Sequence, residues 1–250
     1  MCLIGFDWQP GSARPLRVLA NRDEFYARPT APLAWWAEGD ILAGRDLQAG
    51  GSWMGISRSG RFAALTNVRD PSRQQAGAPS RGQLVVDALR STLSASATLD
   101  ALREQAAACN PFNLLIYDGR HLLGYESTGE RVLRFGRGIH AVSNAGFDTA
   151  WPKLQRLKAG MRAVGEDEAA LFALLADTSL APDAQLPHTG VPLEWERLLS
   201  AIFIRSEHYG TRSTSLLTLG REEAEFIERS FEDGRASGER RYALRFTGLT

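Results

Sequence analysis

The second residue of the chain is a cysteine, placed directly behind the initiator methionine. Cysteine is small enough for Met1 to be removed after synthesis. Cys2 would then carry a thiol and a free α-amino group on one residue. An unperturbed thiol, with a pKa of about 8.5, is only a few per cent ionised at neutral pH. An α-amine, with a pKa of about 7.7–8, can take the thiol proton near pH 7–8. Nucleophile and base then come from a single residue, as in sites that pair a threonine with its own amino terminus. With Met1 retained, the nitrogen is an amide and accepts no proton. A free cysteine can also be no more than a small buried hydrophobe, so its surroundings decide.

Those surroundings read as strands. The apolar runs "CLIGFDW" (2–8) and "LRVLAN" (16–21) flank the turn-rich "QPGSARP" and predict a hairpin. Cys2 opens the first strand, and the second ends in "ANRDEF". This puts Asn21, Arg22, Asp23 and Glu24 at a strand end beside the hairpin partner. Arg22 would favour a thiolate or an oxyanion, and Asp23 could orient the α-ammonium or Arg22 itself.

Beyond the hairpin, "ARPTAPLAWW" reads as a loop, and "ILAG", "SWMGIS" and "RFAALTN" as strands. "AGGS" marks unusual torsions or a close backbone approach. Residues 70–80 form a polar loop. Helical spacing then runs from 81 to 92 and through "TLDALREQAAAC", with Thr98 as the expected N-cap. "FNLLIYD", "HLLGYES", "RVLRFG" and "GIHAVSN" predict strands, and 151–164 and 167–176 predict helices. After the long loop "TSLAPDAQLPHTGVP", strands are predicted at "AIFIRS", "TSLLTL", "EAEFIERSF" and "RYALRF". Strands and helices are segregated in blocks, which predicts α+β layers in one domain over residues 1–250, two sheets sandwiched between helices.

Composition excludes several classes. Lys+Arg and Asp+Glu are 29 each in 250 residues, so no basic excess points to nucleic acid. With 44% hydrophobic residues the chain is not a disordered tail. Two cysteines, Cys2 and Cys109, build no disulfide scaffold, and no CxxC or HExxH spacing predicts a metal site. No GxGxxG or GxxxxGK[ST] loop predicts a nucleotide. No apolar stretch approaches a membrane span and no secretory signal is visible, so a cytoplasmic protein is expected.

Several segments together are specific: "MCLI", "LANRDEFYARP", "ILAGRDLQAGGSWMGIS", "FAALTNVRDP", Arg81–Gly82, "FNLLIYD", "VSNA", "WPKL" and "YGTRSTSLL". In this order, over essentially the whole chain, they resemble the NRDE family, the transport and Golgi organisation family. The resemblance implies an N-terminal nucleophile (Ntn) hydrolase fold, a four-layer αββα sandwich. It implies Cys2 as nucleophile, Arg22 and Asp23 as its electrostatic partners, and Asn67 and Asn144 as amides that orient the amine or form an oxyanion hole. Arg212 in "YGTRS" would be the late arginine. The expected activity is cleavage of an amide or (thio)ester acyl bond in a small molecule, with no cofactor required.

The family is also implicated in haem trafficking and in lipid and acyl-CoA homeostasis. The alternative is therefore a non-catalytic protein holding haem, or an acyl-lipid or CoA ligand, in the same cleft. His208 and Tyr209 are the candidate haem ligands. Trp35, Trp36 and Trp53 would wall the cleft or pack the core, and His140 is expected to be packed. Arg45, Arg69, Arg73 and Arg81 could meet the propionates, phosphates or CoA moiety of such a ligand or form ordinary solvated surface charge, Arg69 being the exception, just after "TN". Glu222, Glu223, Glu225 and Glu228 are expected to form a solvated face.

Overall fold

The computed structural model describes residues 2–247. In chain order the first elements are β1 (Cys2–Trp8), β2 (Leu16–Phe25), β3 (Thr30–Trp35), β4 (Ile41–Asp46), β5 (Met54–Ser57) and β6 (Phe62–Asn67). Next come α1 (Gly82–Arg90), α2 (Ala95–Ala108), β7 (Phe112–Tyr117), β8 (Leu122–Glu126), β9 (Arg131–Arg134) and β10 (Gly138–Val142). The last are α3 (Pro152–Val164), α4 (Glu168–Leu175), α5 (Leu193–Leu198), β11 (Tyr209–Leu219), β12 (Glu223–Glu232) and β13 (Arg235–Arg245).

The strands form two antiparallel sheets, ordered β10-β1-β2-β11-β12-β13 and β3-β4-β5-β6-β7-β8-β9. Alternation along β1 serves two cores at once. Cys2, Ile4, Phe6 and Trp8 point between the sheets, with Val18, Met54, Phe62 and Leu115. Leu3 points the other way and packs with Leu19 beneath Leu154 and Leu157 of α3 and Leu171 of α4. On the far side, Ala63, Leu65, Leu114 and Ile116 of the second sheet pack under Leu84 and Leu99 of α1 and α2. Each fully buried Leu or Phe contributes roughly 1.5–3 kcal/mol. The layers run helix, sheet, sheet, helix, which is the four-layer αββα sandwich.

Two glycines set the spacing of these layers. A Cβ on Gly5 would lie 2.7 Å from Met161 Sδ and 2.8 Å from Leu157 Cδ2, so the bare backbone of β1 lets α3 settle directly on it. A Cβ on Gly51 would lie 2.4 Å from the Gly82 carbonyl carbon, backbone against backbone. The "AGGS" and Arg81–Gly82 segments are therefore two halves of one contact.

Four local expectations are corrected. "ARPTAPLAWW" is not a loop throughout, because it contains β3. Pro32 is tolerated there because β3 is an edge strand with a bulge between Ala31 and Ala34, so its missing N–H interrupts no ladder. The cap of α2 is Ser94, whose side chain accepts the Ala97 N–H; Thr98 lies inside the helix and accepts a bond from Arg61 Nη2 at 3.0 Å. "AIFIRS" is apolar but forms no strand, because its backbone groups are taken elsewhere. The Ile202 carbonyl accepts from Asn21, Phe203 N–H donates to Asp177, and Ile204 N–H donates to the Thr211 hydroxyl. Finally, α5 was hidden behind the long loop, although Pro192 followed by Glu194 and Glu196 is a helix-start pattern.

Candidate active site

Cys2 opens β1, with β10 on one side and β2 on the other. The register pairs Cys2 directly with Arg22. Directly paired residues share a face, so the thiol and the guanidinium both enter the inter-sheet space. Cys2 is 8% exposed and Arg22 5%. The guanidinium is fixed from two further sides: it lies 4.2 Å over the Trp53 ring, and Nη1 donates to Thr30 Oγ1 at 3.0 Å. Burial pushes the Cys2 thiol up, and Arg22 opposes that push.

Asn21 and Asp23 flank Arg22 and so occupy the opposite, helix-side face. Asn21 is consumed by structure. Its Nδ2 donates to the carbonyls of Leu175 (2.9 Å) and Ile202 (2.8 Å), and its Oδ1 accepts from Thr214 at 2.9 Å. Asp23 lies one residue beyond the partner of Cys2, at the level where the amino end of Cys2 emerges. Its Oδ1 accepts from Thr211 Oγ1 at 2.7 Å. Burial raises the pKa of Asp23, while the ammonium of Lys153 on α3 pulls it back.

The two candidate asparagines arrive from different sheets and meet. Asn67 ends β6, and Asn144 follows β10. Asn144 Nδ2 donates to the Asn67 carbonyl at 2.8 Å, and the Asn144 carbonyl accepts the Arg69 N–H at 2.7 Å. Between them and Cys2 stands Ser143, whose hydroxyl donates to the Cys2 carbonyl at 3.1 Å. Sequence reasoning overlooked Ser143, although it is the middle residue of "VSN".

Arg212 is the bulged residue of β11, where the pairing with β2 slips between Thr211 and Ser213. Its Nη1 donates to the carbonyls of Phe25 (3.2 Å), Tyr26 (3.0 Å) and Arg28 (3.1 Å), fastening the turn after β2. Arg212 also lines a pocket of about 250 Å³, together with Thr30, Trp53, Ser213, Glu228 and Arg240. Ser213 pairs with Arg22, which pairs with Cys2, so the pocket adjoins the Cys2 row on the Arg22 side.

A thiol that opens an inner strand, a guanidinium paired to it, a carboxyl at its amino end and the Ser143–Asn144 turn at its carbonyl lie on the segments "MCLI", "NRDE" and "VSNA". The family profile described as "TANGO2: Transport and Golgi organisation 2" matches residues 1–233. The chain belongs to this family. The mouse "Transport and Golgi organization 2 homolog" is 32% identical to it, over 93% of this chain and 94% of the mouse protein. Among solved structures, the Caenorhabditis elegans N-acylethanolamine-hydrolyzing acid amidase orthologue aligns with a TM-score of 0.48 at 9% identity, covering 86% of this chain and 92% of its own. The C2A mutant of conjugated bile acid hydrolase from Clostridium perfringens aligns with a TM-score of 0.45 at 13% identity, covering 98% and 97%.

The remaining candidates in this TANGO2-family chain are scattered, some beside the site and some away from it. His208 is exposed beside Glu207, whereas Tyr209 is buried with its ring among Phe25 and Trp195, so the two present no common face to a ligand. His140 packs as expected, its ring stacked on buried Phe6 at 5.4 Å and tilted against Phe135 at 5.1 Å. It is half-buried, its Nδ1 lies 2.7 Å from Asp148 Oδ2, and that bond raises its pKa. The tryptophans do not form one wall, because alternation sends Trp35 toward the inter-sheet core and Trp36 toward the core beneath α1 and α2, leaving Trp53 at the pocket. Arg69 is buried, ion-paired with Glu196 of α5 at 3.0 Å and stacked 4.7 Å from the Trp151 ring.

Glu228 does not share a solvated face with Glu223 and Glu225. Period-two alternation on β12 turns Glu228 inward beside Phe226, and burial pushes its pKa up to about 7, although the Leu33 N–H donates to it at 2.7 Å. Among the described residues no group of three or more His, Cys, Asp or Glu is placed to hold a metal ion, and no helix is long and apolar enough to cross a membrane.

Proposed function

We propose that this chain is a cytoplasmic cysteine Ntn hydrolase that cleaves an amide or (thio)ester acyl bond of a small molecule, with Cys2 as nucleophile once Met1 is removed. The observation that carries the reading is the Cys2–Arg22 cross-strand pair, with Asp23 at the amino end of Cys2 and Ser143 on its carbonyl. A cysteine that served only to fill space would need neither a buried guanidinium nor a carboxyl beside its nitrogen.

In this reading the α-amine takes the Sγ proton as Sγ attacks the acyl carbon. The carbonyl π-electrons move onto oxygen, where the amides of Asn67 and Asn144 would donate hydrogen bonds. Collapse of the tetrahedral intermediate expels the amine, alcohol or thiol, which receives the proton from the α-ammonium. The remaining thioester on Cys2 is attacked by water, whose proton goes to the same amine, and the acid leaves as the Sγ–acyl bond breaks. Arg22 keeps the thiolate from being penalised in full by its burial. Loss of one oxyanion donor should raise the barrier by about 3–4 kcal/mol. Arg212 shapes the pocket into which the substrate's polar part would extend.

The test is intact mass followed by a panel of acyl amides, thioesters and esters against wild type, Cys2→Ala and Cys2→Ser. Loss of Met1, an acyl adduct on Cys2 and turnover abolished in Cys2→Ala are expected. Retained Met1, or full turnover in Cys2→Ala, would overturn the reading. A haem titration of the same samples is the control arm. A Soret shift with no acyl turnover and no dependence on Cys2 would instead favour a carrier.

A further inference from the structure

We propose that Lys153 is a positioning residue of this site, a buried ammonium over the amino end of β1 that keeps the α-amine of processed Cys2 in its proton-accepting form. This rests on the nucleophile reading above and adds a residue to it.

Lys153 belongs to the "WPKL" segment, which no step of the mechanism has used. It is 2% exposed and sits in the first turn of α3, directly after Pro152. That placement is costly twice over. An ammonium is removed from water, and the partial positive charge at a helix N-terminus repels it. Packing gives no reason for a cation there, because Leu154 and Leu157 of the same helix already fill the apolar layer. The position is not slack either, since α3 rests on the bare backbone of Gly5.

The charged groups facing Lys153 supply the reason. Trp151 at the head of α3 stacks on Arg69, whose N–H donates to the Asn144 carbonyl, and Leu157 lies on Gly5, so Lys153, one turn before Leu157, comes over the amino end of β1 on the face that carries Asp23. Asp23 and Cys2 attract it, while Arg69 and Arg156 repel it. Asp23 in turn is held by Thr211 on β11. Alone beside an α-amine, a buried carboxylate would stabilise the ammonium, raise its pKa and spoil it as a base. A cation close to that carboxylate offsets the effect and disfavours a second positive charge. The same cation favours the thiolate, so both consequences of losing it have one sign. Burial draws Lys153 itself down to about 8, against the pull of Asp23.

The experiment is the pH dependence of Cys2 alkylation by iodoacetamide, read by peptide mass in a Cys109→Ser background whose loss of Met1 has been verified. Lys153→Met should move the midpoint up by about one pH unit and slow alkylation about tenfold at pH 7, whereas Lys153→Arg should stay near wild type. A folded Lys153→Met with an unmoved midpoint overturns the assignment, whatever its Tm. Should Lys153→Met fail to fold, Asp23→Asn is compared with Asp23→Asn/Lys153→Met, which removes both charges together. The double variant should have the higher midpoint, and coincident profiles overturn the assignment. A wild-type Cys2 that resists alkylation at every pH overturns the nucleophile reading, and the Lys153 role with it.

Discussion

The Ser143 hydroxyl donates to the Cys2 carbonyl across 3.1 Å, tying the turn after β10 to the first residue of β1. The next residue of that turn, Asn144, donates to the Asn67 carbonyl in the other sheet. One dipeptide therefore fixes the main chain of Cys2 and bridges the two sheets beside it. Ser143→Ala leaves a buried carbonyl short of a donor and should cost about 1–3 kcal/mol, read by urea unfolding. Asn144→Ala should also lower kcat on any acyl substrate by about 10²–10³-fold. An Asn144→Ala protein that turns over at the wild-type rate would remove the amide from the oxyanion role.

Arg22→Met leaves burial as the main influence on the thiol, so the pKa of Cys2 should rise. Iodoacetamide alkylation at pH 8 should slow about tenfold. Arg22→Lys keeps the charge but loses the planar group that lies on Trp53 while reaching Thr30, so its rate should fall between the two. Equal rates in all three proteins would show that the cross-strand pair leaves the sulfur unaffected.

Glu228 predicts a pH effect on stability. Its folded pKa is raised to about 7 from an ordinary 4.5. Between those values the folded chain holds a proton that the unfolded chain has released, so stability falls as pH rises from about 4.5 to 7 and is level above. Glu228→Gln should flatten that slope and raise Tm at pH 8 by about 3 °C or more. Parallel Tm-versus-pH curves for the two proteins would place the titration elsewhere.

Gly51→Ala should be among the more damaging single-methyl additions in the chain. Its Cβ would lie 2.4 Å from the Gly82 carbonyl carbon, and neither backbone has a flexible group to move aside. A loss of about 2–3 kcal/mol in chemical denaturation is expected, against a few tenths for Gly136→Ala, where nothing lies within 4 Å.

Much of the site could be read from the chain because its parts are local. Cys2 and Arg22 are joined by one hairpin, whose register follows from two short apolar runs and the turn between them. Asn67 and Asn144 could be placed at strand ends, but not against each other, since their meeting depends on how two sheets stack. Glu228 and Lys153 were invisible for a different reason. In a linear reading a charge among charges belongs to the surface, and only the direction of each side chain shows which one is buried. "AIFIRS" failed where tertiary partners claimed backbone groups that local preference would have given to a strand, whereas α5 carried a local start signal, Pro192 with Glu194 and Glu196, concealed by the turn-rich stretch before it.

The main chain of Leu33 has one further property. Its N–H is taken by Glu228 and its carbonyl by Arg240, side chains that reach it from the opposite sheet. β3 is an outermost strand, and such strands can recruit an identical strand from another molecule. At Leu33 a carboxyl and a guanidinium already fill the places an incoming backbone would need, and Pro32 next to it offers no N–H. The same glutamate that borders the pocket thus helps guard the protein against polymerising through this margin.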